Sequence, residues 1–172
     1  MKKLLIMSLI ITVLYFPDAD GQTPGKLYAG LGAGPDYGGF GAQLSYQPVE
    51  RAALFGGLGY NLNSAGYNLG ARFSFLLKER INIHLTGMYG YNAVLLVEGD
   101  VTSKTTYYGP TVGGGLILKS KTPGRSFWSV EILLPFRPEA FHNAIEDLKM
   151  IGYDVKEPLP VAFSFGFHIK IR

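Results

Sequence analysis

Cysteine is absent from all 172 residues. That excludes disulfides, thiolate metal sites and a lipid-modified cysteine at a mature N-terminus, and it suits an exported protein that folds without oxidation. Charge is scarce too: Asp, Glu, Lys and Arg make up 17% of the chain, against the ~25% usual in soluble domains. The net charge is +3, with no run of like charge, which argues against a nucleic-acid groove. Beyond the N-terminus no stretch reaches the ~20 apolar residues of a membrane helix. The three histidines, His84, His142 and His168, are nowhere spaced i, i+4, so no helical zinc pair exists. No metal ligand, cofactor or catalytic residue is expected.

What is present is led by the N-terminus. Lys2 and Lys3 precede the apolar run Leu4 to Phe16, and Pro17, Ala19 and Gly21 follow. A basic start, a short apolar core and small residues form a secretory signal peptide, expected over 1–21 with cleavage after Gly21. Residues 22–172 then make one domain of about 150 residues.

That domain alternates. Val161, Phe163, Phe165, Phe167, Ile169 and Ile171 point one way, and Ala162, Ser164, Gly166, His168, Lys170 and Arg172 the other. Successive strand side chains face opposite sides, so this is one long strand. The same period recurs seven more times, predicting strands near 26–33, 39–47, 52–62, 67–77, 81–92, 107–119 and 126–136. Connections 48–51, 78–80 and 120–125 are tight turns. Those after odd strands include two long loops, 93–106 and 137–160. With eight strands, the tight turns share a side with both termini. This predicts an all-β fold: an eight-stranded antiparallel up-and-down transmembrane β-barrel with short periplasmic turns and longer surface loops.

Orientation follows from side-chain size. One face of the strands holds Gly30, Gln43, Ser45, Asn68, Thr86, Ser129 and many of the 23 glycines. It fills a narrow lumen well and makes a poor solvent surface. The bulky Tyr, Leu and Phe face is therefore expected to meet lipid, with Phe163, Phe165, Phe167, Ile169 and Ile171 on the outside of the last strand. Aromatics cluster at strand ends: Tyr60, Tyr67, Tyr91, Tyr108 and Phe136 toward the surface, and Tyr46, Phe75 and Trp128 toward the periplasm. Two such rings are the interfacial girdles of a membrane barrel. Pro110 and Pro135, inside strands six and seven, predict bulges or a ladder that stops short of the rim.

Charges in the lumen should pair, because an unpaired buried charge costs several kcal/mol. Arg72 and Glu131 fall at similar depth and are expected to form an internal salt bridge, with Lys170 and His168 as the reserve partners for Glu131. Residues 138–151 read as a helix in the last surface loop, with Phe141, Ile145 and Leu148 as an apolar stripe that either packs on the barrel mouth as a lid or makes the helix a recognition element or one lying on the membrane surface. A Ser164, His168 and Glu131 triad can be drawn, but lone polar lumen residues more often pack and hydrogen-bond.

The signal peptide, the eight alternating segments and the terminal strand VAFSFGFHIKIR together resemble the small eight-stranded outer-membrane β-barrels, the OmpA/OmpX-like porin-family group. The resemblance is architectural. It implies residence in the outer membrane of a Gram-negative bacterium among lipid and lipopolysaccharide, with a terminal strand read by the barrel-assembly machinery. The family usually ends on Phe; this chain ends on Arg172, and Phe163, Phe165 and Phe167 supply the aromatics. The expected role is non-enzymatic, structural or in surface interaction, with an extracellular partner met through the loops and no nucleic acid. Three alternatives stand beside it: a narrow pore, a soluble lipocalin-like periplasmic binder, and a lipid A-modifying barrel enzyme. The deacylase signature His-x-Ser-Asn of the last group is missing.

Overall fold

In the computed structural model, which describes residues 25–97, 103–121, 125–152 and 158–172, eight strands run antiparallel. They are β1 (Lys26–Gly34), β2 (Gly39–Val49), β3 (Ala52–Tyr60), β4 (Ala65–Leu77), β5 (Ile81–Val97), β6 (Ser103–Lys119), β7 (Ser126–Pro135) and β8 (Ala162–Lys170). A 3₁₀ turn, Pro35–Tyr37, joins β1 to β2, and helix α1, Glu139–Met150, lies between β7 and β8. Each strand pairs with its sequence neighbours, and β1 pairs with β8 from Tyr28↔Lys170 to Ala33↔Phe165, closing the barrel. The segment 1–21, expected from the sequence to be a signal peptide, lies outside the described residues.

Alternation sets what each strand buries. In β4, Leu69 and Phe73 are exposed, while Asn68, Arg72 and Ser74 are buried. In β8, Phe163, Phe165 and Ile169 are exposed, and Ser164 and His168 buried. The interior is therefore mostly polar, with Phe55, Met88 and Leu133 as a small apolar cluster. On the outer face of the strands, the most exposed large hydrophobics among the described residues are Leu31 and Leu69, each 70% exposed. Water would make that exterior unfavourable by ~25 cal/mol per Å² of apolar surface.

Two expectations about strand length are corrected. The long loop set at 93–106 is in large part strand. After a bulge at Asn92, pairing resumes at Ala93↔Tyr107 and continues to Val97↔Ser103. The run Ala93 to Val97 is apolar on both parities and so gave no period-two signal. Strand three ends at Tyr60, not Leu62. Leu62 adopts a φ of 69° in a turn that the Asn61 side chain organises, its Oδ1 accepting from the Ser64 and Asn63 amides.

The prolines sit where the ladder thins. Pairing of β6 with β7 ends at Thr111↔Pro135, followed by one bond from the Phe136 amide to the Pro110 carbonyl. Pro110 has no N–H to return to the Phe136 carbonyl. The side chain of Asn92, the bulged residue, supplies the donor. Its amide lies 3.3 Å from that carbonyl, 3.0 Å from the Pro110 carbonyl and 3.2 Å from Thr111 Oγ1.

Helix α1 buries its stripe against the extended hairpin. Phe141 and Ile145 are buried with Ala93, and Tyr107 and Leu148 pack beside them. The Tyr107 and Phe141 rings meet edge to face at 5.2 Å. Arg137 covers Phe141 and donates to the carbonyls of Pro158 and Leu159, tying the helix start to the approach to β8.

Candidate functional site

Lumen-facing side chains from five strands converge on Arg72. Its guanidinium is planar with donors in a fixed fork, so three acceptors at different angles can hold it. Nε donates to Glu131 Oε1 at 2.7 Å, Nη1 to Gln43 Oε1 at 2.8 Å and Nη2 to Asp36 Oδ2 at 2.8 Å. The Phe55 ring lies 4.2 Å from the guanidinium carbon. Two carboxylates thus share one cation, and neutral donors satisfy their remaining lone pairs. Thr86 Oγ1 donates to Glu131 Oε2 at 2.7 Å, and Gln43 Nε2 to Asp36 Oδ2 at 3.0 Å. Ser164 Oγ donates to Asp36 Oδ1. His84 Nε2 stands 3.3 Å from Glu131 Oε1.

Asp36 reaches this cluster because the first loop folds inward. Pro35, Asp36 and Tyr37 are all buried, and Asp36 and Tyr37 have no exposed surface at all. The loop turns at Gly34 (φ 142°) and Gly38 (φ 71°), conformations that side chains with a Cβ rarely adopt. The wall is recessed to receive it. A Cβ on Gly57 would collide with the Asp36 carbonyl oxygen, and one on Gly166 with the Tyr37 phenol. Tyr37 OH pairs with His168 Nε2 at 2.6 Å and Ser129 Oγ at 3.2 Å, while Phe127 stacks on the His168 ring at 4.4 Å. The result is a plug seated in the lumen.

Below it a cavity of about 210 Å³ faces the tight-turn end, between Arg72, Ser74, Asn82, Tyr28 and Phe127. Lys26, Arg51, Glu50 and Glu79 stand at its rim.

The expected partners Arg72 and Glu131 are in contact. Lys170 is not with them. It has the lumen-facing parity but lies past His168 at the barrel mouth, exposed, where its ammonium stays in water and avoids burial. His168, the other expected partner of Glu131, bonds Tyr37, and His84 takes that place. The drawn triad does not assemble: Ser164 is held by Asp36, and His168 by Tyr37 and Ser129. Among the described residues no cluster of His, Asp and Glu is arranged to hold a metal ion.

The girdle residues stand outward at both ends, Tyr60, Tyr67 and Phe136 by the loops and Tyr46, Phe75 and Trp128 by the turns, all exposed. Tyr91 and Tyr108 are half-buried, Tyr108 beside Tyr67 at 4.9 Å. Trp128 packs between Phe165 (5.0 Å) and Phe167 (4.7 Å) of β8. Ile171 is likewise exposed.

Sequence reasoning missed Asp36 and Tyr37. Their signal was the flanking pattern Gly34-Pro35-Asp36-Tyr37-Gly38-Gly39, a tight reversal, together with glycines on the lumen face at the loop end.

Compared by sequence, the chain matches no family model and no curated protein. Compared by structure, it is similar to the N-terminal β-barrel domain of Pseudomonas aeruginosa OprF. The TM-score is 0.57 at 10% identity, covering 87% of this chain and 100% of that one. A de novo designed transmembrane β-barrel matches at a TM-score of 0.48 and 14% identity, over 87% of this chain and 98% of that one. The chain thus has the closed eight-stranded antiparallel barrel fold of the OprF domain.

Proposed function

We propose that this chain is an integral outer-membrane β-barrel of a Gram-negative bacterium. In this reading it is exported by the 1–21 signal peptide, has a filled lumen, and serves a structural or surface-interaction role without enzymatic activity. The observation that carries it is the inversion of polarity. Large aliphatic and aromatic residues cover the exterior of every strand, while an ion-paired network fills the interior. A soluble ligand-binding barrel has the reverse arrangement. In hydrocarbon each backbone polar group needs a protein partner, and ring closure from β1 to β8 provides it. The β5–β6 hairpin continues past the end of the β6–β7 ladder with α1 packed on it, and this projection is the candidate contact surface for an extracellular partner.

Membrane fractionation with heat-modifiable gel migration tests the reading. Folded barrel should run faster than boiled chain and partition with outer membrane. A protein that is monomeric in plain buffer overturns it. The narrow-pore alternative is separated by planar-bilayer recording, where the seated plug and the Arg72 layer predict little current.

A further inference from the structure

We propose that the tight-turn end of the barrel is a binding rim for anionic phospholipid headgroups. This rests on the membrane reading above and goes beyond it by naming the lipid class and the leaflet-facing surface.

Basic residues look scattered along the chain, but the up-and-down topology gathers them. The three tight turns carry Arg51, Lys78, Arg80, Lys121 and Arg125, and the adjoining strand ends add Lys26, Lys119, Lys170 and Arg172. Only two acids, Glu50 and Glu79, share that end. The connections at the other end hold eight acids (the inward-folded Asp36, and Glu98, Asp100, Glu139, Glu146, Asp147, Asp154 and Glu157) against three basic residues, Arg137, Lys149 and Lys156. Lys26 and Lys119 are half-buried, and the other seven cations of the rim are exposed. Among the described residues none of the nine is in an ion pair; the ion pairs there are those of Arg72 and His84 in the lumen. Lys119 Nζ donates to the Lys78 carbonyl at 3.3 Å, but among the described residues no carboxylate neutralises any of the nine, which leaves their charge for an external anion.

Their placement selects the partner. They occupy all three turns and both chain ends, so they ring the circumference. They stand level with the outward apolar residues Tyr46, Phe75, Leu118, Trp128 and Ile169, which end at that height. Cations with hydrocarbon stems beside an aromatic belt reach the phosphate layer of a bilayer. A folded acidic protein would meet one face of the end, whereas lipid headgroups surround it.

Trp128 provides the test, being the single tryptophan and standing at this rim. The full chain is inserted into phosphatidylcholine vesicles containing brominated phosphatidylcholine or brominated phosphatidylglycerol, and tryptophan quenching gives the relative affinity of the two lipids. Phosphatidylglycerol should be favoured by about fivefold, the equivalent of one surface cation, and added salt should reduce the preference. Replacing Arg51, Lys78, Arg80, Lys121 and Arg125 together by Gln should abolish it. If that variant does not insert, K121Q/R125Q, changed next to Trp128, should still weaken it. The loop-end variant E139Q/E146Q/D147N should keep it. Equal quenching by both lipids, or a preference undiminished in the Gln variants, overturns the proposal. So does binding of soluble polyglutamate to the inserted barrel with no lipid preference, which would make the partner an acidic polypeptide. Heat-modifiable migration is read first: a chain that enters no vesicle refutes the membrane reading, and an inserted chain without lipid preference refutes the rim alone.

Discussion

Replacing Arg72 by Met should be the most damaging single change in the lumen, because one guanidinium serves two buried carboxylates. Asp36 and Glu131 are 0% and 1% exposed, and each accepts from Arg72 at 2.7–2.8 Å. Arg72→Met strands both. Breaking a buried pair by removing one partner costs ~3–5 kcal/mol, so this variant should lose at least that much. Glu131→Gln or Asp36→Asn leaves Arg72 facing one carboxylate, a balanced pair, and the cost should be only about 1–3 kcal/mol for the charged hydrogen bond removed. Combination sharpens the contrast. Arg72→Met with Glu131→Gln still leaves Asp36 without its cation, so little stability should return. Adding Asp36→Asn removes the last orphan, and the triple variant should be more stable than Arg72→Met alone. The assay is urea unfolding in micelles followed by Trp128 emission, with the folded fraction checked by gel migration. If Arg72→Met costs no more than Glu131→Gln, the guanidinium is not shared and the network is misread.

Three further outcomes test other parts of the fold. Leu69→Arg places a cation on the outer wall near the middle of β4 and should cost ~2–4 kcal/mol in lipid vesicles; no loss in lipid would contradict the outward face. Gly166→Val drives a side chain into the Tyr37 phenol and should destabilise by ~3 kcal/mol or more, while Gly87→Ala, at an outward position of β5 with nothing within 4 Å of its Cβ and no positive φ, should change stability far less, as the same urea series reads. Phe141→Ala empties the contact between α1 and the β5–β6 hairpin, worth ~3–5 kcal/mol of local packing; limited proteolysis should then cut the last loop while the barrel keeps its heat-modifiable migration.

The barrel was legible because its signal is local and repeated. Strand parity separates Leu69 from Asn68 without reference to any distant residue. The Arg72–Glu131 pair was also legible, since counting from the turns gives depth and parity gives side. Parity alone misplaced Lys170, because it does not distinguish a buried lumen position from one at the open mouth. The plug was not legible for a different reason. Asp36 finds Ser164 across 128 positions and Arg72 across 36, and no period in the chain announces that a loop turns inward. The β5–β6 extension escaped because a strand with both faces apolar has no alternation to read.

The seat of Tyr37 also fixes an order of events. Its socket needs Gly166 and His168 from β8 and Ser129 from β7, and its neighbour Asp36 needs Ser164, so the first loop of the chain cannot be locked until the last strand has arrived. It is a keystone: made early, set last, and a record in the finished protein that both ends of the polypeptide have met.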